Sequence, residues 1–283
     1  MPNRRTRALR AAAVAAAAAL LAAVGGYFAY HHVALAQNGC QAQGRHLVAL
    51  DTEQAAIAAT IAGVADSRRL PPAAVTIAYA TAMQESKLHD LPSGDLDSVG
   101  VFQQRPSQGW GKPRQLIDPV YATGKFFSAL VKVPHYLRIP LYQAAQDVQH
   151  SADGSAYTNY QLQAASMSRA FTGGRPHAVW CWFPASSSGT PDVGPMRRQL
   201  LRTFGRLDVQ PGGGETAAAS DPAAAVRVRR PAAGWAVASW LVTHATAYGI
   251  SNVRYAGYQW SKTAGSRGWT RDPSAPSGSV ELR

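Results

Sequence analysis

The sequence is poor in cysteine and in acidic side chains. Its 283 residues contain 2 Cys, and 16 Asp and Glu stand against 28 Lys and Arg, for a net charge of +12. Two thiols exclude a disulfide-dense scaffold and a four-thiolate zinc site. A hydrophobic content of 46% excludes disorder of the whole chain. Because a single uncharged run reaches bilayer length, a bundle of membrane spans is also excluded.

That uncharged run lies at the N-terminus. The four arginines of the first ten residues precede the run, which covers residues 11–30, and an Ala-Leu-Ala pattern follows at 34–36. A basic start, an apolar stretch and a small-residue site are typical of an export signal, and the length of the run also suits a retained membrane helix. Residues 1–36 are therefore expected to be a signal peptide or a membrane anchor. Both alternatives predict an extracytoplasmic location for the remainder.

Positive charge is concentrated in the C-terminal part of the chain. Residues 1–36 carry four arginines and no acid, so a net charge of +8 remains beyond them, and +6 of it lies in residues 185–283. A basic tail outside a cell is expected to meet anionic wall polymers or a membrane surface. Nucleic acid is a poor partner for an exported chain, so DNA or RNA binding is not predicted.

The two cysteines, Cys40 and Cys181, lie near the two ends of a candidate domain. In an oxidising compartment outside the cytoplasm, such a pair is expected to form a disulfide. Two independent thiols remain the alternative, because the sequence does not show that the two sulfurs meet.

Helical periodicity dominates the middle of the chain. Asp51 and Gln54 form a capping pattern before an apolar stripe, and Pro71 and Pro72 suit a second helix start. Further helical patterns cover residues 119–131, 140–150, 157–171 and 196–204. The intervening segment 90–111, rich in Gly, Pro, Asp and Ser, indicates a structured loop or a short hairpin. A mainly α domain is therefore predicted over residues 37–207.

A glycine- and alanine-rich stretch separates this domain from the tail. Residues 208–230 contain the run 212–214 of three glycines and have the composition of a flexible linker. Residues 231–283 then combine a helical pattern at 235–248 with alternating segments at 252–256 and 258–261, as in a hairpin. The tail is predicted to be a small α/β module, and its four tryptophans are expected mainly in its core.

Glu85 is the leading candidate for chemistry. Residues 37–184 contain two glutamates, and the other one, Glu53, lies in the first turn of a helix where the macrodipole favours a carboxylate. Glu85 ends an apolar stripe and enters a polar loop, so its carboxyl can face the core on one side and a cleft on the other. A partly desolvated carboxyl of this kind suits a general acid that protonates a glycosidic oxygen.

The surroundings of Glu85 resemble a known family. The segments 84–88 (QESKL) and 97–104 (DSVGVFQQ) resemble the Glu-Ser helix end and the following Ser-x-Gly loop of lysozyme-like lytic transglycosylases. The segments 105–111 (RPSQGWG) and 144–151 (AAQDVQHS) are similar to those of exported actinobacterial wall proteins. The resemblance covers about residues 40–204. It implies a lysozyme-like helical domain, peptidoglycan as substrate, and no cofactor.

The resemblance also implies roles for individual residues. Glu85 matches the acid that protonates the leaving oxygen, and Ser86 matches the serine that supports it. Ser98 and Gln103 match the loop that lines the glycan cleft, and Tyr157 matches a cleft tyrosine at a different spacing. The third family motif is altered here, and Lys87 stands where glycine is common.

The roles of two further carboxylates and the choice between two function classes remain open. Asp95 and Asp97 are candidate second carboxylates for a hydrolase, or loop caps if a transglycosylase needs one acid alone. The chain contains no His-Glu-x-x-His motif, and no metal ligands are predicted. The leading hypothesis is a lytic transglycosylase of the cell envelope. The alternative, favoured by Lys87 and the altered motif, is a non-catalytic peptidoglycan-binding or scaffold protein.

Overall fold

The computed structural model describes residues 38–151, 154–183, 190–212 and 221–283. The expected signal peptide or anchor at residues 1–36 lies outside these ranges. Within them, no helix is both long enough and apolar enough to cross a membrane.

A three-stranded antiparallel sheet brings the two cysteines together. Its strands are β1 (Gly39–Gln43), β2 (Leu47–Leu50) and β3 (Val179–Trp182), in the order β2-β1-β3. Cys40 lies directly opposite Cys181 in the β1–β3 pairing, and the two form a disulfide that spans 141 residues of sequence. The predicted disulfide is confirmed, and it joins β1, at the start of the first body (the described residues within 38–207), to β3, which follows six of the seven helices of that body.

Seven helices of the described chain follow or flank this sheet. They are α1 (Thr52–Ser67), α2 (Pro72–Ser86), α3 (Pro113–Leu116), α4 (Pro119–Leu130), α5 (Leu141–Gln149), α6 (Gln161–Phe171) and α7 (Val193–Phe204), with short 3-10 turns at Pro106–Gln108 and Ser155–Tyr160. Asp51 and Gln54 form the predicted reciprocal cap at the start of α1, and Pro72 begins α2. The local sequence signals therefore place these two helix starts correctly.

Helix α1 is at the centre of the molecule. Every residue from Ile57 to Ala65 is buried, and a helix that is buried all round must be covered on every side by other elements. Helices α2, α4 and α7 of the first body cover it, together with helix α8 (Pro231–Thr243) from the C-terminal part. Its many alanines and Gly63 allow these neighbours to approach closely. A Cβ on Gly63 would come within 2.5 Å of Thr203 on α7.

The C-terminal part is built on a six-stranded antiparallel sheet. Its strands are β4 (Asp208–Pro211), β5 (Ala224–Arg227), β6 (Asn252–Tyr255), β7 (Tyr258–Ser261), β8 (Thr270–Arg271) and β9 (Ser279–Leu282), in the order β4-β5-β9-β6-β7-β8. The predicted hairpin is confirmed as β6 and β7. The segment 208–230 was expected to be a linker, and its described parts supply the edge strand β4 and its neighbour β5.

Tryptophans of the tail dock this part on the first body. The Trp260 Nε1–H donates to the carbonyl of Cys181 (2.9 Å), and the Trp269 Nε1–H donates to that of Val179 (2.7 Å). Trp260 and Trp240 are fully buried and Trp235 is nearly so. The prediction that these rings lie mainly in the core is confirmed. The two hydrogen bonds also show that β3 contacts the C-terminal part as well as the first body.

The expected fold class, a mainly α lysozyme-like domain with a small α/β module, is wrong. Of the residues that the structure describes, 47% are helical and 16% lie in strands, and these residues form two antiparallel sheets of three and six strands. Strands β1 and β2 were not predicted because each is only four or five residues long, and the second partner of β1, strand β3, lies more than 120 residues away. Strands β4 and β5 lie in a segment whose glycine and alanine content is typical of linkers.

We expect the Cys40→Ser/Cys181→Ser double variant to lose about 4–5 kcal/mol of unfolding free energy, because the disulfide closes a 141-residue loop in the unfolded chain. Urea denaturation followed by tryptophan fluorescence measures the change. Reduction of the parent should give the same loss, and reducing agent should leave the double variant unaffected. Equal stability of oxidised parent and double variant would contradict the prediction.

Candidate functional site

Glu85 lies where α2 ends. Lys87 and Leu88 both have left-handed backbone conformations (φ 57° and 63°), and this reversal ends the helix at Ser86. Glu85 is therefore in the last turn, partly exposed, while Ser86 and Leu88 on either side of the turn are buried. The carboxylate is held at the edge of the core rather than inside it.

Ser86 joins the end of α2 to the following loop. Its hydroxyl donates to the carbonyl of Val101 (2.8 Å) and accepts a hydrogen bond from the backbone N–H of His89 (3.2 Å). The side chain is 6% exposed, so both bonds are made away from bulk water. Ser86 thus positions the loop against the helix that carries Glu85.

Ser98 and Gln103 hold that loop together internally. The Ser98 hydroxyl lies 2.7 Å from the carbonyl of Asp95 and 2.9 Å from the Gln103 Oε1, and the Gln103 side-chain amide donates to the carbonyl of Gly100 (3.0 Å). A β-bridge between Val99 and Gln104 confirms the predicted short hairpin. The polar atoms of both side chains are thus engaged within the loop in this structure.

Gly94 is required for this loop to close. A Cβ there would lie 1.6 Å from the Gln103 Oε1 and 2.5 Å from the Ser98 hydroxyl, distances that no side chain tolerates. Glycine is thus the residue that lets the two polar side chains approach the backbone.

Tyr157 reaches Glu85 from a distant part of the chain. It lies on the 3-10 turn after α5, is 2% exposed, and its hydroxyl donates to the Glu85 Oε1 at 2.7 Å across 72 residues of sequence. Burial raises the pKa of the Tyr157 hydroxyl, and the hydrogen bond to Glu85 raises it further. The phenol therefore stays a hydrogen-bond donor to the carboxylate. The structure brings together Glu85, Ser86 and Tyr157.

Lys87 is directed toward Tyr160. Its ammonium lies 4.7 Å from the centroid of the Tyr160 ring and forms a short hydrogen bond with the Tyr160 hydroxyl. Glu85 takes part in none of the ion pairs of the described residues. Lys87 therefore has a cation–π and hydrogen-bonding partner of its own.

Asp97, two residues before the Val99–Gln104 hairpin, is bonded to the segment that follows the hairpin. It forms an ion pair with the Arg105 guanidinium (2.8 Å) and accepts hydrogen bonds from the backbone N–H (2.7 Å) and hydroxyl of Ser107. The Arg105 hydrogen bond is the main cause that lowers the pKa of Asp97 to about 2. Asp95 has an exposed side chain, and its carbonyl accepts the Ser98 hydroxyl. The contacts of the Asp97 side chain match the loop-capping alternative, whereas the bond between Asp95 and Ser98 is made by the backbone carbonyl of Asp95 and not by its carboxylate.

Sequence reasoning missed Asp90. Burial, together with the carboxylates of Glu53 and Asp118, raises the pKa of Asp90 to about 7. Its Oδ1 is buried without a hydrogen-bond partner, and its backbone N–H donates to Glu53, which also contacts His89 at 2.9 Å. No local pattern pointed to this group, because Glu53 and Asp118 join it from separate helices.

A second missed feature is a cleft of about 510 Å³ between α4 and α5. Lys125 and Lys132 line it from the α4 side, Asp147 and His150 from the α5 side, and Trp110 from the loop after the hairpin. Glu85 does not line this cleft. The motifs 105–111 and 144–151 contribute residues to it, and the lysines lie between these motifs, Lys125 in α4 and Lys132 in the turn after that helix.

No group of three or more His, Cys, Asp and Glu side chains within the described ranges could hold a metal ion. A scan with models of known protein families found none that matches the chain, and a search of curated proteins found no match either.

We expect Asp90→Asn to flatten the dependence of stability on pH. Because the folded pKa of Asp90 (about 7) lies above its ordinary value of 3.8, the stability it contributes is complete below about pH 4 and is lost as the pH rises through 7. The variant should be more stable than the parent at pH 8, by roughly 1–2 kcal/mol at this partly solvated position. Urea denaturation across this range measures it.

Asp95→Asn removes an exposed carboxylate from the neighbouring loop and serves as the matched control. Its stability should follow the pH dependence of the parent. Parallel profiles for the parent and both variants would show that the Asp90 carboxyl does not carry the proton.

Proposed function

We propose that the protein cleaves the glycan strands of peptidoglycan at the cell envelope by a lytic-transglycosylase-type mechanism, with Glu85 as its one catalytic carboxyl. The observation that carries this proposal is the 2.7 Å hydrogen bond from Tyr157 to Glu85. The family resemblance implied a role for both residues from separate motifs, and the fold brings them into direct contact.

The surroundings of Glu85 suit a positioned acid. Ser86 fixes the end of α2 to the loop through Val101, and Tyr157 orients one carboxyl oxygen, so the other oxygen is available to a substrate. Proton transfer by a positioned side chain accelerates a reaction by about 10²–10⁴-fold, and this requires that the carboxyl be held in place before the substrate arrives. Two neighbours from different elements meet that requirement.

The chemistry balances with one carboxyl. Glu85 donates its proton to the glycosidic oxygen, the bond between that oxygen and C1 breaks, and the 6-hydroxyl of the same muramic acid attacks C1. The hydroxyl proton passes to the Glu85 carboxylate, which restores the acid. The products are a shortened strand and a 1,6-anhydro sugar, and no water is consumed.

The state of Asp97 supports a mechanism with one carboxyl. A nucleophile or general base must present its oxygens to the sugar or to a water. Asp97 instead uses both oxygens on Arg105 and Ser107. The disulfide between Cys40 and Cys181 agrees with the proposed extracytoplasmic location, because such bonds persist in oxidising compartments.

We expect Glu85→Gln to abolish product release from purified peptidoglycan. The amide keeps the shape of the carboxyl but has no proton to donate, so a loss of at least about 100-fold is expected. Mass spectrometry should find anhydromuropeptides with the parent alone. Reducing-end products would instead show hydrolysis.

Glu53→Gln is the matched control, since it changes the other glutamate of residues 37–184 in the same way. It should release products at nearly the parental rate. No release by a folded parent would overturn the proposal and favour a non-catalytic peptidoglycan-binding protein.

We expect Asp97→Asn to keep the anhydro product and most of the rate. Its carboxylate holds Arg105 and Ser107 in the loop, so its loss should lower the rate no more than about threefold, far below the range of a lost acid or base. Initial rates on the same peptidoglycan measure this. A loss comparable with that of Glu85→Gln would make Asp97 a second catalytic carboxylate.

A further inference from the structure

The cleft between α4 and α5 has a mixed chemical character. Ala129, Val133 and Val148 give it apolar walls, and the half-buried ring of Trp110 adds an aromatic one. The charged groups that line it are Lys125 and Lys132, with Asp147 and His150 from α5. The cleft thus combines apolar walls with cations and one carboxylate. It differs from a patch of cations alone, which would attract any anion.

Its two lysines are available to a ligand. Neither Lys125 nor Lys132 belongs to an ion pair within the described ranges. The Lys125 ammonium lies 5.7 Å from the centroid of the Tyr121 ring, one turn earlier on α4. The Tyr121 hydroxyl also reaches the carbonyl of Trp110 at 3.5 Å. Tyr121 therefore contacts the Lys125 ammonium and the backbone of Trp110 before any ligand binds.

Hydrogen bonds connect the wall of the cleft to the loop that Ser86 holds beside Glu85. Gln149, in the last turn of α5 between the lining residues Val148 and His150, donates to the carbonyl of Phe102 at 2.7 Å. The neighbouring carbonyl, that of Val101, accepts the Ser86 hydroxyl. Two consecutive residues of one loop are thus held from two sides, Val101 by the end of α2 and Phe102 by the wall of the cleft.

We propose that this cleft binds the stem peptide that branches from the glycan strand, with Lys125 and Lys132 pairing with its carboxylates. The inference rests on the proposed function and names the part of the substrate that is bound beside the cleaved strand. Alanine methyl groups of a stem fit the apolar walls, and the ammonium of a diamino acid fits Asp147. A polyphosphate chain would place like charge against Asp147 and has no apolar groups for the walls.

The test compares binding by variants of the full chain that carry Glu85→Gln, so that no strand is cleaved. The probes are soluble glycan strands with intact stems and the same strands after an amidase has removed the stems. We expect Lys125→Gln/Lys132→Gln to raise the Kd for intact strands at least about tenfold, the effect of losing one charge-assisted hydrogen bond. The Kd for stripped strands should not change.

Arg45→Gln/Arg69→Gln removes two exposed positive charges that lie outside the basic C-terminal segment and is the matched control, which should bind intact strands as the parent does. Lys125→Arg/Lys132→Arg keeps the charges and should retain binding. Circular dichroism of each variant checks folding. Soluble poly(glycerol phosphate) is added as a competitor and should not displace intact strands.

Equal affinity of the Glu85→Gln chain for intact and stripped strands would overturn the stem-peptide proposal. Displacement of intact strands by poly(glycerol phosphate) would overturn it as well. Neither result affects the cleavage assay with the Glu85-bearing parent. If that assay releases no product while stem-dependent binding by the lysines holds, the proposed cleavage fails and the cleft remains a stem-peptide site of a binding protein.

Discussion

Strand β3 connects the parts of this molecule, and its four residues are held from three directions. Cys181 is bonded covalently to Cys40 on β1, and the backbone of β3 pairs with β1 along the whole strand. The carbonyls of Cys181 and Val179 accept hydrogen bonds from Trp260 and Trp269 of the C-terminal part. Because a buried carbonyl without a donor is costly, these indoles are structural requirements of the interface. The C-terminal part is accordingly packed on the disulfide-bearing sheet.

The candidate site depends on the central helix pair that this arrangement encloses. Helix α1 is covered on every side, and α2 packs beside it with Tyr79 donating to the carbonyl of Ala58 in the interior. A helix fixed in this way presents its last turn reproducibly. The left-handed residues Lys87 and Leu88 then turn the chain into the hairpin loop, and Ser86 holds that loop in place. Glu85 is placed by the packing of the whole first body.

Three polar regions adjoin this framework and differ in physical character. Around Glu85, the side chains of Ser86, Ser98 and Gln103 form hydrogen bonds within the protein. Around Asp90, the carboxylates of Glu53 and Asp118 lie nearby, and His89 contacts Glu53. Burial and these two negative charges raise the pKa of Asp90 to about 7. The cleft between α4 and α5 is the opposite case, because its cations have no acidic partner within the described ranges and face solvent.

The sequence by itself determined the helices with clear caps and the hairpin β6–β7, it predicted the disulfide between Cys40 and Cys181, and it singled out Glu85 as the candidate for chemistry. The helices and the hairpin depend on residues that are close in sequence, so local patterns reveal them. The disulfide and the Glu85 candidate follow from the small number of cysteines and of glutamates. The tertiary structure alone decided that β1 pairs with β3 and that β4, β5 and β9 join the predicted hairpin in one sheet, because short strands that pair beyond the reach of a tight turn leave no periodic signal. It also decided the contact of Tyr157 with Glu85, the raised pKa of Asp90 and the lysine-lined cleft. Each of these arises where side chains from separate elements meet, and only the packing of those elements fixes the distance between them.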